Sequence, residues 1–126
     1  MSDKINPFEK KKKGVFFFKS SNPYEFYDLL NGKNMDDKQD VWGTLIFPEN
    51  VKKPCPLIIP IHGSAGLREG HHTHMVNLLD AGFAIFRIHH FESRGVISIV
   101  ENQTEVTLAS MITDAFRALT LVSKHP

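Results

Sequence analysis

Cysteine is nearly missing: the 126 residues contain one, Cys55. A lone thiol excludes a disulfide framework and any zinc knuckle built on cysteine pairs. Long hydrophobic runs are missing too. The longest, Val15 to Phe18 and Leu57 to Ile61, are too short to span a bilayer or to form a signal-peptide core. Neither sign of charge dominates, since 15 Lys+Arg face 14 Asp+Glu. No internal repeat occurs, and no low-complexity segment beyond Lys10 to Lys13. What remains, 41% hydrophobic and 23% charged residues, is the composition of an ordinary globular chain with one core. A soluble cytoplasmic protein without a membrane partner is the expectation.

The balanced charge hides an asymmetry. Residues 1–20 hold six lysines against two acidic residues, net +4, whereas residues 21–126 hold nine basic against twelve acidic, net −3. A basic tip of this kind touches acidic partners or simply keeps an arm solvated. No aromatics alternate with the lysines to stack on bases, and one short run supplies few phosphate contacts, so nucleic acid is not an expected partner. Residues 1–14 read as a flexible basic arm and 15–126 as the folded part.

Strand and helix periods then alternate along the chain. Val15 to Lys19 reads as a strand closed by the turn formers Ser20 to Pro23, and Tyr24 to Leu30 as a short helix or a turn, ended by Asn31-Gly32. Val41 to Phe47 alternates with period two. Leu57 to Ile61 is the continuous apolar run of a strand covered on both faces, although Pro60 has no N–H for a ladder. A helix follows from about His71 to Ala81, with Met75, Leu78 and Leu79 inward and Gly82 as its stop, then a strand over Phe83 to Ile88. Last comes a long helix, with Asn102 and Glu105 as a capping-box-like start and Leu108, Ile112, Ala115, Leu119 and Val122 as its inward stripe, widened by Met111, Phe116 and Ala118. This order implies an α/β fold with a mostly parallel sheet and flanking helices. A final apolar-faced helix normally delivers a further parallel strand, so the chain reads as the N-terminal part of a larger domain. In isolation, Phe83 to Ile88 would then be an unpaired, aggregation-prone edge.

The richest segment for chemistry is His62-Gly63-Ser64-Ala65-Gly66, directly after a strand. Glycines at the carboxyl end of a sheet allow backbone N–H groups to face a developing oxyanion; the plain alternative is a tight strand-to-helix turn. Ser64 is not in a nucleophile elbow, because His62 stands where G-x-S-x-G needs its first glycine, and that motif occurs nowhere in the chain.

Taken in order, Gly43-Thr44-Leu45…Pro48, His62-Gly63-Ser64-Ala65-Gly66, Leu79-Asp80-Ala81-Gly82-Phe83-Ala84, Phe91-Glu92-Ser93-Arg94-Gly95-Val96 and Asp114-Ala115-Phe116-Arg117-Ala118-Leu119…His125-Pro126 resemble the start of the dienelactone hydrolase family of α/β-hydrolases. The resemblance implies an incomplete α/β-hydrolase domain whose whole form cleaves a small ester or lactone by nucleophilic acyl transfer without a cofactor. It gives the Ser64 backbone N–H to the oxyanion hole, has Gly63 and Gly66 shape the loop, and makes His62 and Arg94 substrate-binding, Arg94 at the mouth of the site to hold a substrate carboxylate. A loop-pinning ion pair is the competing role for Arg94. The nucleophile (Ser or Cys), acid and base would lie beyond residue 126. Two departures stand out: His89 replaces the Asp that opens the family's arginine loop, and Gly63 replaces the Glu of strict dienelactone enzymes, which favours a serine ester hydrolase.

Histidine supplies the rival reading. His71, His72 and His74 cluster at a helix start, and His89-His90 end a strand, so a small non-enzymatic binding module with a metal on that cluster is the alternative. No carboxylate stands at a recognised ligand spacing, and no metal is expected. Cys55 reads as packing rather than as a redox group.

Overall fold

The computed structural model describes residues 8, 12–51, 54–63, 66, 69–103 and 105–125. Strands β1 (Gly14–Ser20), β2 (Gln39–Ile46), β3 (Leu57–Ile58) and β4 (Ala84–Ile88) form one open sheet in the order β1-β2-β4-β3. Helix α1 (Phe26–Asn31) links β1 to β2, α2 (Glu69–Asp80) links β3 to β4, and α3 (Leu108–Val122) follows a 3-10 turn over Glu92–Arg94. The α/β class holds.

A mostly parallel sheet does not. β1 with β2 and β2 with β4 are antiparallel, and only β3 with β4 is parallel. The reason lies in the connections: parallel neighbours need a crossover of a dozen or more residues, which the 12-residue helix of β3–α2–β4 supplies, whereas the short α1 between β1 and β2 joins an antiparallel pair. β4 is also not an edge. It lies between β2 and β3, so the outer strands are β1 and β3.

β3 is much shorter than its apolar run. Only Leu57 and Ile58 pair, opposite Ala84 and Ile85, and all of Leu57 to Pro60 is half-buried. An outer strand lacks a neighbour on one side, and Pro60 removes a ladder donor two residues beyond the pairing.

Period-two alternation places Phe16, Val41, Leu45, Phe86 and Ile88 on one face, where they pack with Ala118, Leu121 and Val122 of α3. Gly43 is required at its position, because a Cβ there would lie 2.6 Å from Phe86 Cε2 and 3.1 Å from the Arg87 carbonyl oxygen. Ile85, which alternation turns to the opposite face, is fully buried as well, and α2 is the second helix that packs against β4. The expected helix stop is present: Gly82 has φ +97°, and its N–H donates to the Leu79 carbonyl.

Two further expectations are corrected. The basic arm is not solvated throughout, since Phe8 is fully buried with its ring 4.6 Å from Phe16 and 4.7 Å from His125. The last helix does not start at Asn102. Its cap is Thr107, whose hydroxyl accepts from the Ser110 N–H at 3.1 Å, and both hydroxyls donate to the Pro23 carbonyl. The expected stripe is turned outward in part. Leu108, Phe116 and Leu119 are exposed, while Ser110, Met111, Asp114, Ala118, Leu121 and Val122 face inward. Polar residues win the inward positions because each has a partner there, as described next.

Candidate functional site

Three segments converge at the carboxyl ends of β3 and β4: the His62 turn, His89-His90, and the 3-10 turn that carries Arg94. Phe91, Ile99, Val106 and Met111 form a second buried cluster that holds the loop between β4 and α3 in place.

His62 is buried, and its Nδ1 lies 3.0 Å from the Gly63 carbonyl oxygen. A carbonyl only accepts, so Nδ1 carries the proton and Nε2 a lone pair. The same oxygen accepts the Gly66 N–H at 3.0 Å, which closes the turn. Gly66 has φ +81°, and a Cβ there would sit 3.1 Å from the Ile97 carbonyl oxygen and 3.5 Å from the Phe91 ring. Glycine is therefore needed twice over at residue 66, for the left-handed backbone and for the close approach. The His62 ring packs edge to face on His90 and Phe91, with centroids 5.2 Å and 4.5 Å apart. Ser64, the expected oxyanion donor, lies outside the described residues, as does Ala65.

His90 and Asp114 are completely buried, and His90 Nδ1 donates to Asp114 Oδ2 at 2.7 Å. The guanidinium of Arg94 grips the same carboxylate in a two-pronged pair, Nη1 to Oδ2 at 2.7 Å and Nη2 to Oδ1 at 2.8 Å. Its other three N–H groups go to Asn22 Oδ1 at 2.7 Å, the His90 carbonyl at 3.0 Å and the Ser21 carbonyl at 3.3 Å. Ser20 Oγ completes the carboxylate by donating to Oδ1 at 2.5 Å. All five guanidinium donors and all four acceptor positions of Asp114 are thus engaged. This corrects the expected substrate role of Arg94: no donor is left for a substrate carboxylate, and the side chain pins the loop to β1 and α3. Burial pushes the Asp114 carboxyl up, but the hydrogen bonds from Arg94 and His90 outweigh it and hold it below its ordinary value.

His89 pins the loop from the other side. Its Nδ1 meets Glu92 Oε2 at 2.6 Å, its Nε2 meets Thr44 Oγ1 at 3.1 Å, and its ring stacks on Trp42. An imidazole thus ties β2 to the loop at the position where the family resemblance expects Asp.

His62 and His90 differ from these groups in one respect. Among the described residues, His62 Nε2 and His90 Nε2 are the buried side-chain polar atoms without a hydrogen-bond partner. Leaving such a buried polar atom without a partner costs about 1–3 kcal/mol. Burial, with His90 alongside, pushes the His62 pKa below its ordinary value, although the Gly63 contact and Glu92 act the other way. The site therefore holds two adjacent imidazoles, each with one buried nitrogen without a partner, beside a glycine-closed turn.

The other candidates are dispersed. His71, His72 and His74 are exposed on α2, and among the described residues no three His, Cys, Asp or Glu side chains group to hold a metal ion. Cys55 is half-buried, with Sγ 3.6 Å from the Pro56 and Gly82 carbonyls. It lines an apolar cavity of about 500 Å3 with Leu45, Phe47, Leu57 and Val122, at the opposite end of the sheet from His62. Among the described residues no helix is long and apolar enough to cross a membrane.

Nothing in the motif pattern marks Asp114 as central, yet a signal for it exists. It is the sole acidic residue of α3, set in a stretch with no other charged residue, Ile112-Thr113-Asp114-Ala115-Phe116. A lone carboxylate on an apolar helix needs a buried cation, and Arg94 is that cation. Comparison with known protein families and with characterised proteins returns no match.

Proposed function

We propose that the chain contributes the oxyanion-loop half of an acyl-transfer hydrolase of the dienelactone hydrolase type, acting on a small ester or lactone in the cytoplasm without a cofactor. The observation that carries this reading is the glycine-closed turn at residues 63–66. It follows β3 at the carboxyl end of the sheet, is closed by the Gly66-to-Gly63 hydrogen bond, and fits so closely under Ile97 and Phe91 that only glycine is accommodated at residue 66. Backbone N–H groups at a loop in this place would stabilise an oxyanion where they need no reorganisation as charge develops; each such donor contributes roughly 10²–10³ in rate.

In this reading the Ser64 N–H is the donor, while Gly63 and Gly66 hold the loop. The Arg94–Asp114–His90 network fixes the floor of the site and touches no substrate. Nucleophile, acid and base come from outside these 126 residues, in keeping with the missing G-x-S-x-G. A substrate carboxylate is no longer part of the proposal, because Arg94 is fully engaged.

The test is hydrolysis of p-nitrophenyl butyrate and dihydrocoumarin. The 126-residue chain alone should show no turnover above buffer. The same chain joined to the residues encoded directly downstream should turn over, and Gly66→Ala in that longer protein should lower kcat more than KM. An inert longer protein, or turnover by the short chain alone, overturns the reading.

A further inference from the structure

Three polar groups line up beside the sheet face turned away from α3. Thr44 Oγ1 lies 3.1 Å from His89 Nε2, and His89 Nδ1 lies 2.6 Å from Glu92 Oε2. A hydroxyl, an imidazole and a carboxylate in this order, each pair within hydrogen-bond reach, is the arrangement that activates an oxygen nucleophile. Burial raises the Glu92 carboxyl, but the hydrogen bond from His89 and the nearby charges of His89 and Arg87 outweigh it and hold the group below its ordinary value. An ionised carboxylate only accepts, so His89 Nδ1 keeps its proton in either charge state of the ring. The nitrogen that gains and loses a proton is Nε2, the one that faces Thr44.

Strand register furnishes the surroundings. Thr44 stands opposite Val15 of β1 on one side and Arg87 of β4 on the other. Residues directly opposite share a face, with Cβ atoms about 5 Å apart. Arg87 therefore brings a cation to the same face, and its Nη2 is 4.0 Å from Glu92 Oε2. One pair along, Phe17 lies opposite Trp42 with ring centroids 5.8 Å apart, and the Trp42 ring stacks on His89. Val15 and Phe17 are exposed, and Thr44 and Trp42 are half-buried. Solvent thus reaches this face, and the aromatic pair borders the hydroxyl.

We propose that Thr44 is an acyl-acceptor site: its hydroxyl takes one acyl group from a small aryl ester, with His89 as general base and Glu92 positioning the imidazole. Thr44 Oγ1 attacks the ester carbonyl carbon, and its proton passes to His89 Nε2. Arg87, across the ladder from Thr44, supplies the positive charge that favours the tetrahedral oxyanion. On collapse, the bond between the carbonyl carbon and the aryl oxygen breaks, and the phenol leaves with the proton from Nε2. The products are one phenol and one threonine ester. An aryl leaving group fits twice: it packs against Phe17 and Trp42, and a phenolate departs more readily than the Thr44 alkoxide. The alkyl ester so formed is less reactive than the aryl ester consumed, so each chain is acylated once and does not turn over.

The site shares no residue with the Ser64 loop, and one phenol released per chain is not turnover, so it stands or falls apart from the hydrolase reading. The full 126-residue chain is incubated with p-nitrophenyl acetate and mapped by peptide mass spectrometry. An acetyl ester, removable with hydroxylamine, should appear on Thr44 ahead of every other serine and threonine. Thr44→Val should abolish that label, His89→Gln should slow it by about a hundredfold or more, and Cys55→Ser should leave it unchanged. Nitrogen NMR tests the positioning role of Glu92. The neutral His89 ring should carry its proton on Nδ1, and Glu92→Gln should mix the two tautomers while slowing acetylation by about tenfold or more. Mapping of the unaltered chain decides the matter even where a variant fails to fold. Acetyl spread evenly over the hydroxyls, none on Thr44, an unchanged rate in His89→Gln, or a neutral ring protonated on Nε2 overturns the proposal.

Discussion

Arg94 and His62 lie within one loop cluster, yet their states are opposite. Every polar atom on Arg94 and on its partner Asp114 is engaged, and the pair joins β1, the loop after β4 and α3. His62 and the His90 ring beside it each keep one buried nitrogen without a partner. A saturated network holds a fold in one arrangement, whereas an unsaturated one is a place for a ligand or a proton. The contrast separates the part of this region that builds the site from the part that is free to act.

The sharpest way to break it is Asp114→Ala. Removal of the carboxylate leaves a buried guanidinium and a buried imidazole without their acceptor, and should destabilise the chain by about 3–5 kcal/mol; urea denaturation measures this. By contrast, His62→Gln should cost far less, because one of its polar atoms has no partner to lose. Comparable losses at the two positions would erase the distinction between them.

Next in size is crowding at glycine. Gly43→Ala forces a methyl into the Phe86 ring and should cost about 1–3 kcal/mol, read from the same urea curves. Gly66→Ala places a Cβ in left-handed backbone, a strain of about 1–2 kcal/mol, and should also shift the amide resonances of Gly63 and Ile97 in NMR spectra.

Acid provides a graded comparison. Burial holds the folded pKa of His62 below its ordinary value of 6.5, so the unfolded chain binds the proton more readily. Stability should therefore fall as pH drops below about 6.5 and stop falling once pH is under the folded pKa. Asp114 behaves differently in position though not in direction: its folded pKa is depressed below 3.8, and its contribution is lost only in stronger acid. Melting temperatures at intervals from pH 8 to pH 3 should show the earlier decline vanish in His62→Gln while the later one persists.

The smallest effect concerns α3. Leu119→Gln, on the exposed side, should change stability by less than about 0.5 kcal/mol, whereas Leu121→Ala, packed under the sheet, should cost about 2–5 kcal/mol. Equal effects would mean that the helix presents a different side to the sheet.

The helix also shows how far the sequence could be read. Much of the element pattern was legible because period two at Val41 to Phe47 and period 3.6 along the last helix are steric consequences of strand and helix geometry, and continuous apolar runs mark β3 and β4. The Gly82 stop and the Gly66 turn were legible too, since only glycine suits their backbone. Less visible was the choice between two overlapping helical stripes in α3. Hydrophobicity favours Leu108, Ile112 and Leu119, but Ser110 and Asp114 face inward because Pro23, Ser20 and Arg94 wait there. Such partners are 20 to 94 residues away in sequence, and no local pattern carries them. For the same reason the role of Arg94 stayed undecided between substrate and loop until its five acceptors were seen together. Strand direction was hidden as well, because the periods are identical in parallel and antiparallel sheets.

The lengths of the ladders have a dynamic consequence. β1 and β2 pair over seven positions, from Gly14–Leu45 to Ser20–Gln39, whereas β3 holds to β4 over two. Amide protons near residues 57 and 58 should therefore exchange with solvent through small local openings, long before those of β2. His62 hangs four residues beyond that weak seam, so a molecule from outside reaches its ring through a brief unzipping of one short strand while the rest of the sheet stays closed.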